Sequence, residues 1–84
     1  MDKEELQVKF VELCNGEKRA FEEIYENLKT PVYTIVLRMT RSTALSEDIL
    51  QEIFLKLYRT PPEPPVKNPR AYIFQMARNL AIDS

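Results

Sequence analysis

Histidine and tryptophan are missing from this chain, and cysteine and glycine occur once each. Without imidazole, zinc centres of the usual Cys/His kind are excluded, as are histidine-dependent triads and proton relays. The lone thiol, Cys14, can form no internal disulfide, and nothing points to an oxidising compartment. The lone glycine, Gly16, cannot build a glycine-rich phosphate loop. Long apolar runs are missing too. No window approaches the ~18–20 apolar residues of a membrane span, and Met1-Asp2-Lys3-Glu4-Glu5 has none of the apolar core of a signal peptide. A large charge excess is also lacking: the formal net charge of −1 excludes a histone-like protein that holds nucleic acid by bulk charge. No catalytic constellation can be assembled, so neither an enzyme nor a metal or cofactor site is expected.

What is present is a chain of 84 residues, 44% of them hydrophobic, which makes one domain with a real core. A core of this size supplies only ~3–5 kcal/mol of net stability. The charge is uneven. Acids dominate from Asp2 to Glu26, whereas Lys29, Arg38 and Arg41 stand with no acid between Asn27 and Ser46, and Lys67, Arg70 and Arg78 face only Asp83 near the end. If the two basic regions fold together, they form a positive patch on an acidic body. The simplest expectation is a soluble, cytoplasmic protein with no membrane contact.

Helical periodicity runs through nearly the whole chain, and strand signals are almost absent. Leu6, Phe10, Leu13 and Cys14 mark the face of a first helix, which Asn15-Gly16 ends because glycine accepts the left-handed conformation. A second stripe, Phe21, Ile24, Tyr25, Leu28, Val32, Ile35, Val36 and Met39, passes Pro31 without losing phase. That predicts one long helix kinked near Pro31; the alternative is two short helices with Thr30 as cap and Pro31 in the first turn. Ser42-Thr43 caps a third helix with Leu45, Ile49, Ile53 and Leu57 inside, flanked by Leu50 and Phe54, and with Glu47 and Asp48 near its positive end. Thr60-Pro61-Pro62-Glu63-Pro64-Pro65 is expected to be stiff and extended. Asn68-Pro69 starts a fourth helix running to about Asp83, with Ile73, Met76, Ala77 and Leu80 as its core stripe. The expected fold is all-α, a compact bundle of about four helices. The chain stops at Ser84 with the helical pattern still running, which reads as a trimmed domain.

Two polar surfaces stand out. On the third helix Asp48, Gln51, Glu52 and Leu55 recur at spacings of three and four, and Leu55 and Tyr58 add apolar surface that the core stripe does not need. Acids separated by an amide suit arginine on a protein partner, although a polar face of a helix is ordinarily just solvated. On the fourth helix Tyr72, Phe74, Gln75, Arg78 and Asn79 surround the core stripe. Aromatic rings stack on unpaired bases, amides read base edges and arginine neutralises phosphate; the plainer alternative is that the rings complete a small core. Val66, Lys67, Asn68 and Arg70 stand at the start of that helix, where anions bind well.

The run Ala44-Leu45-Ser46-Glu47-Asp48-Ile49-Leu50-Gln51-Glu52-Ile53-Phe54-Leu55 resembles the A-E-D-x-x-Q-E-x-F-L signature of bacterial sigma factors, especially the extracytoplasmic-function (ECF) group. Ala71-Tyr72-Ile73-Phe74-Gln75-Met76-Ala77-Arg78-Asn79-Leu80-Ala81-Ile82-Asp83 is similar to their A-W-L-x-x-I-A-R-N-x-A-I-D motif, and Gly16-Glu17-Lys18-Arg19-Ala20-Phe21-Glu22-Glu23-Ile24-Tyr25 to their G-D-x-x-A-F-x-x-L-Y start. The three motifs occur in the family's order and spacing across nearly the whole chain. The resemblance implies that residues 1–84 form the region-two promoter-recognition domain, with the C-terminal helix-turn-helix (region four) domain absent from this chain. It implies core RNA polymerase as a partner, with Asp48, Gln51, Glu52 and Leu55 on the helix that docks on the clamp coiled coil of the largest subunit. It further implies promoter DNA, mainly the non-template single strand of the minus-ten element, with Lys67, Asn68, Arg70, Tyr72, Gln75, Arg78 and Asn79 as contacts. Arg38 and Arg41 are further phosphate candidates, and an anti-sigma factor is a further candidate partner. Three departures stand out: Tyr72 where tryptophan is usual, Ser46 where alanine is usual, and four prolines within residues 61–65. The competing reading is a helical protein–protein interaction module without DNA binding, supported by the net charge of −1 and by the lack of basic residues after Asp83.

Overall fold

In a computed structural model, which describes residues 1–63 and 66–83, the chain forms four helices and, among the described residues, no strand. They are α1 (Lys3–Cys14), α2 (Lys18–Thr40), α3 (Thr43–Arg59) and α4 (Pro69–Asp83). The α2 helix is the axis of the fold: α1, α3 and α4 all pack on it, and α4 also touches α1 and α3. Expectations for the backbone at Pro64 and Pro65 lie outside the described residues.

Local chemistry accounts for each helix end. Asp2 Oδ1 accepts from Glu5 N at 2.8 Å and starts α1. At the other end Gly16 takes φ 89°, and bonds from Gly16 N to Leu13 O and from Glu17 N to Glu12 O close a Schellman motif. Ser42 Oγ accepts from Leu45 N at 3.2 Å to start α3, and Asn68 Oδ1 accepts from Ala71 N at 3.1 Å to start α4, with Pro69 at its first position. The α2 helix is continuous through Pro31, so the two-helix alternative falls. Burial explains why: Leu28, Val32 and Val36 on either side of the proline are all core residues, and unwinding would expose them. Two expectations need correction. Glu47 and Asp48 lie beyond the first turn of α3, which contains no acid, so they do not serve its N-terminal dipole. Met39 is 43% exposed, because the core stripe of α2 ends at Val36.

The core draws on every helix: Leu6, Phe10 and Leu13 from α1; Ile24, Leu28, Val32 and Val36 from α2; Ile49, Ile53, Phe54 and Leu57 from α3; Ile73, Ala77 and Ala81 from α4. The buried residues of α4 include the small Ala77 and Ala81. An ion pair between Lys9 Nζ and Glu23 Oε2 at 2.8 Å ties α1 to α2 at the surface. Its hydrogen bond and the close approach of the two charges hold the Lys9 ammonium above the usual lysine range and the Glu23 carboxyl below the usual carboxylate range. Partial burial pushes the Cys14 thiol up, consistent with a small apolar role.

The buried Ser46 explains one departure from the sigma-factor signature. It is 0% exposed, and its hydroxyl meets Thr40 Oγ1 at 2.8 Å across the tight α2–α3 turn, where Arg41 holds a left-handed φ of 57°. The Thr40 hydroxyl also bonds to the backbone of Ser42. The two hydroxyls are therefore unequal. Thr40→Val strands a buried serine oxygen and is expected to cost about 1–3 kcal/mol, whereas Ser46→Ala leaves Thr40 with its backbone partners and costs about 1 kcal/mol or less. Urea midpoints of the two variants check the order; the reverse ranking would mean the turn is not pinned by this pair.

Candidate polymerase and nucleic-acid interfaces

Two outward surfaces arise from how α3 and α4 pack. On α3 the inward positions Ile49, Ile53 and Leu57 leave Asp48, Gln51, Glu52 and Leu55 all exposed. Gln51 and Leu55 line a groove of about 530 Å³ between the start of α2 and the end of α3. Its walls are aromatic. Phe21 and Tyr25 of α2 face Phe54 and Tyr58 of α3, with Tyr25–Phe54 ring centroids 4.9 Å apart and Phe21–Tyr58 5.0 Å apart, both edge-to-face. Leu55 is 44% exposed and Tyr58 48% exposed, so apolar surface is open to solvent there, rimmed by Lys18, Glu22 and Arg59. Asp48 stands outside the groove, and Glu52 lies on the opposite flank of Leu55 in a shallow hollow with Lys56 and Arg59.

The α4 surface is also divided. Tyr72, Gln75 and Asn79 share one hollow of about 210 Å³, joined by Met76 and by Lys56 of α3. Tyr72 is 36% exposed, and the buried Phe10 ring meets it edge-on at 6.1 Å, which fixes the tyrosine from behind. Gln75 Nε2 donates to Asn79 Oδ1 at 3.1 Å, leaving Gln75 Oε1 and the Asn79 amide hydrogens uncommitted by that bond. Asn68 and Arg70 line a different hollow, with Met1, Asp2, Lys3 and Asn27. The oxygen of Asn68 is occupied in capping α4, and the Arg70 guanidinium lies 4.8 Å over the half-buried Phe74 ring. Lys67 and Arg78 are exposed and line neither hollow, and Arg38 and Arg41 are exposed at the far end of α2. Gln7 Nε2 donates to Val66 O at 2.8 Å and fastens the α3–α4 connection to α1.

Sequence reasoning left two contributors out. The aromatic groove is signalled by two pairs at i, i+4, Phe21/Tyr25 and Phe54/Tyr58, but spacing puts Phe21 and Tyr25 on the core stripe of α2, Phe54 on the flank of the α3 stripe and Tyr58 on its outward row, and does not join them. Lys56 had no local signal, because its place beside Tyr72 depends on how α3 packs on α4.

The four-helix bundle thus presents one acidic-and-aromatic face on α2 and α3 and one tyrosine-amide face on α4. Residues 24–84 match sigma-70 region 2, and the chain belongs to that family. It is 34% identical over 74 residues to the ECF RNA polymerase sigma factor SigK of Mycobacterium ulcerans, covering 86% of this chain and 40% of that protein. SigK of Mycobacterium tuberculosis strain H37Rv is 35% identical over 73 residues, 84% of this chain and 39% of that protein. SigM of Bacillus subtilis is 37% identical over 62 residues, 74% of this chain and 38% of that protein. The chain thus spans about two fifths of the length of these relatives. No solved structure matches it. Among the described residues, no helix is long and apolar enough to cross a membrane.

Proposed function

We propose that the chain is the part of an ECF-type sigma factor that docks on core RNA polymerase and captures the melted minus-ten element. The family match across 24–84 carries this reading, and the exposure of both surfaces supports it. In this reading Asp48, Gln51, Glu52 and Leu55 meet the clamp coiled coil of the polymerase largest subunit. The aromatic groove takes apolar side chains of that partner, and the acids take its arginines. An anti-sigma factor is a competitor for the same surfaces.

The DNA step requires no catalysis. Promoter base pairs open transiently, and a non-template base lies against Tyr72 while the Gln75–Asn79 amides meet its edge. Lys67, Asn68, Arg70 and Arg78 flank the strand at the start and along the outer side of α4. Stacking contributes roughly 1–3 kcal/mol per base, comparable to the cost of unpairing one. Capture therefore biases an equilibrium toward the open strand.

The test is an NMR titration with single-stranded DNA of the non-template promoter strand. Tyr72, Arg78 and Asn79 signals are expected to broaden, and Tyr72→Ala is expected to weaken binding roughly 5- to 150-fold, the equivalent of that stacking energy. Perturbation confined to α1 and α2, or no binding at all, would leave only the protein-docking surface and favour an interaction module.

A further inference from the structure

The hollow beside Tyr72 contains a residue from the other surface. Lys56 belongs to α3, the helix of the proposed polymerase contacts, yet its side chain lines the same space as Tyr72, Gln75, Met76 and Asn79 of α4. The other walls supply a ring, a thioether and two amides and no formal charge, so among the described residues Lys56 is the only charged group lining this hollow. It is exposed, and no carboxylate lies within ion-pair distance of it among the described residues: the salt bridges found involve Lys9 and Lys29. Lys29, by contrast, is held by Glu26 at 3.1 Å and lies over the Tyr25 ring. An uncommitted ammonium next to a half-exposed aromatic face and an amide pair is the set of groups that a nucleotide satisfies. The base takes the ring and amides, and the phosphate takes the cation.

We infer that Lys56 is a phosphate-binding residue of the single-strand site, a contact that α3 contributes to the α4 surface. The inference rests on the DNA reading above. It also gives the α3–α4 packing a functional consequence, since Lys56 sits one helical turn from Glu52 and three residues before Arg59 on the same helix. One rigid helix then carries groups for both partners, and their relative placement is set by the buried residues Ile53 and Leu57.

The test is fluorescence anisotropy of the chain with short fluorescein-labelled oligothymidylate and oligodeoxyadenylate across a salt series. Lys56→Gln is expected to weaken binding to both probes by a similar factor and to make the log–log salt dependence shallower by about 0.7, the value for one phosphate on a single strand. Lys56→Arg is expected to restore the slope, and Lys29→Gln to leave it as in the wild type. Wild-type binding that depends on Tyr72, with a slope that Lys56→Gln does not change, overturns this assignment while the DNA reading stands. Failure of the wild-type chain to bind either probe overturns the DNA reading, and the Lys56 assignment with it.

Discussion

Replacing Ile53 with alanine is expected to leave most of the chain unfolded at physiological temperature. Ile53 is 0% exposed and lies in the middle of α3, which packs on both α2 and α4. Truncating a buried isoleucine costs about 2–5 kcal/mol, through lost transfer energy and the cavity left behind. A domain of this size holds only ~3–5 kcal/mol in total, so the loss consumes most or all of it. Ile53→Val removes one methylene and is expected to cost about 0.5–1.5 kcal/mol, leaving a folded chain. Urea unfolding followed by far-UV circular dichroism separates the cases. A wild-type midpoint for Ile53→Ala would mean that the α2–α3–α4 junction is not the structural core.

The reason that much of this architecture is readable in the chain lies in its punctuation. Gly16, Ser42 and Asn68-Pro69 each perform a task that few other residues can: a left-handed closure, a hydroxyl cap and an amide cap with a pre-set first turn. Pro31 is the harder case. Its local effect is to break a helix, and only the unbroken phase of Leu28, Val32 and Val36 indicates that tertiary packing overrides it. The end of that stripe was not legible. Met39 continues the spacing of Val32 and Val36, but the helix stops at Thr40 and Arg41 turns the chain, so no partner helix covers it.

The candidate site was legible to the extent that it lies along single helices. The rows Asp48/Gln51/Leu55 and Tyr72/Gln75/Asn79 follow from spacing alone, because residues three and four apart share a face. What spacing does not reveal is which rows meet. The seven residues expected to face DNA fall into separate places: Tyr72, Gln75 and Asn79 share a hollow, Asn68 and Arg70 line another, and Lys67 and Arg78 stand apart. Lys56 joins the first group only through the packing of α3 on α4. The same limit hid the aromatic groove, whose four rings come from two helices about thirty residues apart in sequence. Tyr72 shows both sides of this. Its aromatic character is evident from the motif, whereas the edge contact with Phe10 that braces it comes from α1.

Asp48→Arg is expected to weaken binding to a fragment carrying the polymerase clamp coiled coil by roughly 30-fold or more. Asp48 is exposed and, among the described residues, makes no ion pair, so its carboxylate is available to a basic partner. Reversal removes a charge-assisted contact and sets like charges against each other, and juxtaposed like charges at an interface cost several kcal/mol. About 2 kcal/mol already corresponds to a 30-fold change. The folded chain should be little affected, since an exposed substitution away from caps and core stays within about 0.5 kcal/mol. Gln51→Ala provides a milder comparison: Gln51 lines the aromatic groove, and its loss removes hydrogen bonding without repulsion. Titration calorimetry alongside unfolding of each variant distinguishes docking from stability. If Asp48→Arg binds the clamp fragment as the wild type does while remaining folded, the acidic edge of α3 is not the docking surface, and the aromatic groove would have to account for the contact without it.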